Sequence, residues 1–334
     1  MQGMYNFIRL FYLRLRKIPV DEVKKIDKLI ERALSVRESS PEIALETLKR
    51  ALNTAKSIND EKAEATILRH IGSVYVTLSD YKKSIEYLEL SFDLFNEIGD
   101  KNSQVNVLSL LGTCRGFLGD FTKSLEFLFR SLKLSKELND DENTAKILNN
   151  LGNCYYSMDD LDSAKKYFLE ALSLKEKAND LRSLSSGYTN LALIYSQQKD
   201  LELAEKYIQK SIRIKENFTD NYKDETSLAF TKNILGLIKK QSKEYTEALK
   251  HFDEVLNIYQ KQSNPLMLAE TYALIAATYL ETKDYINALQ ALNAGERFAK
   301  QTNATRITEE FQKLYSEVSE LKAGKIKSAA NEGR

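Results

Sequence analysis

The sequence predicts an all-α fold built as a solenoid of stacked helix pairs, and three observations carry that prediction. The first is composition. The 334 residues include only three prolines and twelve glycines, and Leu, Lys, Glu, Ala and Ser, which mostly enter helices at low cost, are abundant. The second is a period: Ile71-Gly72, Leu111-Gly112, Leu151-Gly152 and Leu191-Ala192 fall forty residues apart, Leu235-Gly236 comes after forty-four, and Ile275-Ala276 after forty again. The third is punctuation. A second helix opens in each unit at Asp80-Tyr81, Asp120-Phe121, Asp160-Leu161, Asp200-Leu201, Glu244-Tyr245 and Asp284-Tyr285. Asn59-Asp60, Gly99-Asp100, Asn139-Asp140, Asn179-Asp180 and Thr219-Asp220 close the units, joining a helix-ending residue to an Asp that caps the next helix. One such pair buries too little apolar surface to stand alone, so the units must stack.

Taken in order, residues 1–20 come first, with Met4, Phe7, Ile8, Phe11, Leu15 and Ile18 on one face of an amphipathic helix. Arg9 and Arg14 interrupt any run of apolar residues long enough to span a bilayer, and no cleavage site for a signal peptide follows. This helix is read either as a cap over the open end of the array or as a contact with a membrane surface or a partner, through residues 4–18.

Asp21 to about Glu38 is the first helix of the first pair, and Pro41, Ala44, Leu48 and Ala51 mark its second. Pro41, like Pro265 later, suits a first helical turn, where its missing N–H costs nothing. Seven pairs fill residues 21–301. A capping helix over 302–323 ends the array, with Phe311, Leu314, Tyr315, Val318 and Leu321 on its apolar stripe. Residues 324–334 lack apolar periodicity and are expected to be disordered. The four extra residues around Asn217 to Lys223 are read as a hinge or a protruding contact.

With 49 basic and 48 acidic residues the net charge is +1, so no global field draws the chain to nucleic acid. Cys114 and Cys154 are the only cysteines; forty residues apart, they occupy equivalent places and read as two buried structural thiols, consistent with the cytoplasm. Phosphate loops, nucleophile elbows and metal clusters are absent from the pattern. The expectation is a non-catalytic protein without a cofactor. Arg115 and Lys239 stand where other units have Tyr, and each must reach solvent or a carboxylate, because an unpaired buried charge is costly.

The order Leu151, Gly152, Tyr155, Ala164, Phe168, Ala171 resembles the tetratricopeptide repeat pattern, in a forty-residue variant similar to sensory and adaptor regions of bacterial signalling proteins and to kinesin light chains. The resemblance implies a right-handed α–α superhelix whose first helices line a concave groove for an extended peptide or another protein. Helical geometry then nominates the lining. If Leu151 and Gly152 face the interior, Asn149, Asn153 and Tyr156 face the groove, with Lys146 one turn earlier. Equivalent places are Arg69 and Ser73; Asn106, Ser109 and Thr113; Ser186, Thr189, Leu193 and Ser196; and Asn233 and Leu237. Asn offers both a donor and an acceptor, which suits a peptide backbone whatever its sequence.

Some co-chaperones of this family hold a C-terminal carboxylate; the matching places here read Ser109, Thr113, Asn153, Ser186 and Asn190, without a basic residue, so chaperone tails are not expected. The function expected is a peptide- or protein-binding scaffold in bacterial signalling or assembly. The alternative is the regulatory region of a signalling enzyme or transcription regulator without its output domain.

Overall fold

Among the described residues, most helices are stopped and the next one started by a recurring two-residue device. At Ser79-Asp80, Ser79 takes the left-handed conformation (φ 58°) and the Asp80 N–H reaches back to the Tyr75 carbonyl at 2.9 Å. That closes the first helix in a Schellman turn. The Asp80 carboxylate then accepts a bond from the Lys83 N–H at 3.2 Å and caps the second. A left-handed residue recurs at positions 59, 79, 99, 119, 139, 159, 179 and 199, and again at 243, 263 and 283. The forty-residue unit is thus two twenty-residue halves.

The computed structural model describes residues 19–218, 224–302 and 304–332, with side chains as far as Leu321. The amphipathic segment expected over residues 4–18, and residues 219–223 of the insertion, lie outside the described residues. Fifteen helices and no strand occur among the described residues. In chain order they are α1 (Val20–Val36), α2 (Pro41–Ser57), α3 (Glu61–Thr77), α4 (Tyr81–Ile98), α5 (Lys101–Phe117), α6 (Phe121–Glu137), α7 (Asp141–Ser157), α8 (Leu161–Ala178), α9 (Leu181–Gln197), α10 (Leu201–Glu216), α11 (Glu225–Gln241), α12 (Tyr245–Lys261), α13 (Pro265–Glu281), α14 (Tyr285–Ala299) and α15 (Thr305–Glu332). Consecutive helices pack as seven pairs, an all-α fold of the α–α superhelix class, as the sequence predicts.

The chain divides into two compact units, Met1–Ala178 and Asn179–Arg334. In the first, α2 packs on α3, α4 on α5 and α6 on α7, and the first helices α3, α5 and α7 lie side by side. In the second, α10 packs on α11 and α12 on α13, and α15 covers both α13 and α14. Phe311 and Val318 of α15 are buried there, as a terminal cap requires. The last helix continues to Glu332, past the expected end at residue 323; the helix-forming Ala, Lys and Glu of this stretch let the backbone run on without an apolar stripe.

Small residues set how closely the two helices of a pair approach. A Cβ at Gly152 would lie 2.5 Å from Cε1 of Phe168, and one at Gly236 would lie 2.5 Å from the corresponding atom of Phe252. Where the fifth pair carries Ala192 instead, the partner sixteen residues on is Ile208, and both are fully buried. Backbone carbonyls are held across the same seam: Ser91 and Ser131 donate to the Ala65 and Val105 carbonyls, each at 2.7 Å.

The two cations in tyrosine places behave as expected. Arg115 reaches Glu89 at 3.3 Å and Asp120 at 3.8 Å, and Lys239 reaches Glu205 at 2.8 Å and Glu244 at 3.0 Å. Cys114 and Cys154 are free and buried, each within hydrogen-bond range of a serine one pair earlier, Ser84 and Ser124, and burial raises both thiol pKa values.

Candidate functional site

The sides of α3, α5 and α7 that do not meet the second helices form one face of the first unit. On α7, Ile147, Leu148, Leu151, Gly152 and Cys154 are buried, which turns Lys146 and Asn153 to solvent and leaves Asn149, Asn150 and Tyr156 half-buried. Asn106, Ser109 and Thr113 are half-buried on α5, as are Arg69, His70 and Ser73 on α3. Cross-links join the helices along this face. Asn150 Nδ2 donates to Ser109 Oγ at 3.0 Å, and Arg37, just past the end of α1, donates to Ser73 Oγ at 3.3 Å.

Several of these groups are already committed to their own helices. Thr113 donates to the Ser109 carbonyl, Asn106 to the Asn102 carbonyl, and Lys146 pairs with Glu142 at 2.6 Å. Among the described residues Asn153 has no hydrogen-bond partner, so its exposed amide offers a donor and an acceptor to whatever lies on the face. Burial, followed by the charge of Asp159, raises the Tyr156 pKa, keeping its hydroxyl neutral and available as a donor.

The α3 end of the face is basic. Arg69 Nη2 lies 3.2 Å from His70 Nε2. A guanidinium only donates, so Nε2 accepts and the imidazole is neutral. Burial, then the charges of Arg69 and Arg37, push the His70 pKa down to about 3. Burial also lowers the pKa of Arg69. Neither Arg37 nor His70 was nominated by the sequence reading. His70 follows a nominated residue by about 100° of helical turn, and Arg37 lies in a turn, outside the periodicity that selected the others.

In the second unit Ser186 on α9 is exposed and Asn233 on α11 is half-buried, with an Oδ1 that accepts no hydrogen bond among the described residues. Thr189 corrects the expectation. Its side chain is buried, donating to the Ser185 carbonyl at 3.1 Å and lying 2.9 Å from Ser211 Oγ on α10. The cause is local: Ser211 occupies the seam position from which Ser91 and Ser131 reach backbone carbonyls, and here it engages the Thr189 hydroxyl. Leu193 and Leu237 likewise pack against core side chains, and Ser196 is buried against Gln241. The helix geometry that leaves Asn149 half-buried and Asn153 exposed on α7 therefore does not carry over unchanged to α9 and α11.

Helix pairs that recur at a period of about forty residues, packed on one another within each unit and closed by a recurring small-residue seam, define a helical repeat protein. Models of the tetratricopeptide repeat match residues 103–177 and 225–301, and 65–97 and 185–218. The chain belongs to the tetratricopeptide repeat family. No protein of curated function matches it in sequence. Among solved structures it is similar to the apo form of the quorum sensor NprR from B. thuringiensis, at 19% identity and a TM-score of 0.67, over 87% of this chain and 80% of that one. It is also similar to a Rap protein complexed with competence and sporulation factor, at 18% identity and a TM-score of 0.63, over 84% of this chain and 75% of that one. A third likeness, at 19% identity and a TM-score of 0.67, is to the signal transduction ATPase PH0952 from Pyrococcus horikoshii, which has a tetratricopeptide repeat sensor; 94% of this chain covers half of that protein. At these identities the likenesses bear on the fold.

Proposed function

We propose that the first-helix face of α3, α5 and α7 binds an extended segment of another protein or peptide, and that the chain is a binding scaffold in bacterial signalling or assembly. The observation that carries this reading is the amide-rich stretch of α7, where Asn149, Asn150 and Asn153 fall on one face and Asn153 has no partner among the described residues. Amides can satisfy the N–H and C=O groups of an extended backbone without selecting side chains. The likeness to a Rap protein solved with competence and sporulation factor and to a quorum sensor is consistent with it.

Asn149→Ala with Asn153→Ala should weaken capture of the partner at least tenfold while leaving the melting temperature within a few degrees, since neither side chain is in the core. Undiminished capture in a pull-down removes this face from the account. A second reading, a sensory region that works joined to an output domain, is favoured by the likeness to PH0952, of which this chain covers half. The adjacent coding sequence decides between them. Among the described residues no helix is long and apolar enough to cross a membrane; a cytoplasmic site of action is part of this proposal.

A further inference from the structure

The helix α1 meets the rest of its unit with one side only. Val23, Ile26 and Ala33 are buried there, and Leu29, Ile30 and Val36 are partly covered by the same core. The opposite side is wet, and its charges are sorted by sign. Asp21, Lys25, Lys28 and Arg32 fall in line at helical spacing with Lys24 beside them, and all five are exposed. The four cations line an open hollow of about 450 Å³ together with Asp21 and Leu29. Glu22, Asp27 and Glu31 lie to the flanks, and Lys25 meets Glu22 at 3.2 Å in an exposed pair that contributes little in water. An end helix of an array needs a polar outer side for solubility, but it does not need cations gathered on it.

The sequence just before α1 adds to this. Residues 1–20 contain Arg9, Arg14, Arg16 and Lys17 and no acidic residue, whereas the whole chain has a net charge of +1, so the remainder is net negative. With the α1 stripe, eight cations fall within residues 9–32. The same segment carries Met4, Phe7, Ile8, Phe11, Leu15 and Ile18 at helical spacing. Laid on the outer side of α1, that apolar stripe would desolvate lysines and gain little apolar contact, since Leu34 is the one large apolar side chain of the helix left exposed among the described residues. A bilayer surface suits both features. Apolar side chains enter the boundary below the headgroups, and the cations beside them reach lipid phosphates. Nucleic acid would meet the cations and leave the apolar stripe in water.

We infer that residues 4–18 and the outward side of α1 together dock on an anionic lipid surface, with Phe7, Ile8 and Phe11 entering the lipid and Lys24, Lys28 and Arg32 facing its phosphates. Apolar insertion and electrostatic attraction add, and surface anchoring becomes stable when two such signals act together. The docking side is opposite the buried side of α1, so it makes no use of the peptide face on α3, α5 and α7 and is independent of that reading.

Flotation of the full chain with vesicles tests the inference, comparing phosphatidylcholine alone with phosphatidylcholine containing about 30% phosphatidylglycerol. The chain should partition into the anionic vesicles at least about tenfold more than into the neutral ones, and raising salt from about 0.1 M to about 0.5 M should remove most of that difference. Lys24→Gln with Lys28→Gln and Arg32→Gln should lower anionic binding about tenfold with an unchanged thermal melt, because all three side chains are exposed. Phe7→Ser with Phe11→Ser should lower it at least as far. Equal partitioning into both compositions, full anionic binding by the triple α1 variant, or binding that survives loss of both phenylalanines overturns the inference. Retention of the chain on immobilised polyglutamate but not on vesicles also overturns it, and makes the basic side a site for an acidic protein.

Discussion

Lys215, on α10, is a buried cation whose desolvation bears on stability. Its ammonium is buried and donates to Thr231 Oγ1 at 2.6 Å and to the Ser227 carbonyl at 3.3 Å, and desolvation, partly opposed by Asp224, lowers its pKa from 10.5 to about 8. The folded state therefore binds this proton less tightly than the unfolded chain does. Between pH 8 and 10.5 the unfolded state holds more protons, so stability rises with pH across that window and is lower below it. The shift corresponds to roughly 3 kcal/mol at most. Lys215→Met should be more stable than the natural chain at neutral pH and should lack this rise; urea unfolding followed by circular dichroism at pH 7, 9 and 10.5 measures both. Gly152 gives a second test. Gly152→Ala forces a methyl against the Phe168 ring and should cost about 1–3 kcal/mol. Adding Phe168→Ile should recover part of it, since the fifth pair sets Ala192 against Ile208, so a double-mutant cycle should show coupling. Buried and raised in pKa, Cys114 and Cys154 should resist a thiol reagent until the chain unfolds.

At the level of the helix, the turn at Lys199-Asp200 shows where the repeat carries local strain. Lys199 holds a φ of 64°, a region that costs a residue with a Cβ about 1–2 kcal/mol and glycine much less. Lys199→Gly should therefore stabilise the α9–α10 turn, by under about 1 kcal/mol once glycine's extra chain entropy is counted. Asp200→Ala should destabilise it by about 1 kcal/mol, because the carboxylate caps α10 through the Leu203 N–H. Thermal melts of the two variants should move in opposite directions. These turns were the most legible part of the sequence: Asn, Gly and Asp tolerate the left-handed conformation or cap a helix for chemical reasons visible in one residue. Lys199, Lys243 and Lys283 were legible only by period, since nothing in lysine favours that conformation. The limit of α15 was less legible, because helix propensity continues after the apolar stripe stops.

Across the molecule, the spacing of Leu-Gly and Asp-aromatic steps was enough to place seven helix pairs, because each pair repeats the same contacts and errors of one residue would misalign the next. The candidate face was legible where helix geometry alone decides it, as at Asn149 and Asn153. It failed where a second helix supplied a competing partner, as Ser211 does for Thr189. It was silent where the partner lay in a turn, as Arg37 does for Ser73. The claim that the first-helix face binds the partner is tested most directly by photocrosslinking. A photoreactive residue in place of Asn153 on α7 should trap the partner covalently, and the same residue in place of Glu126, on an exposed side of the second helix α6, should not. Trapping from the Glu126 position but not from Asn153 would contradict the account.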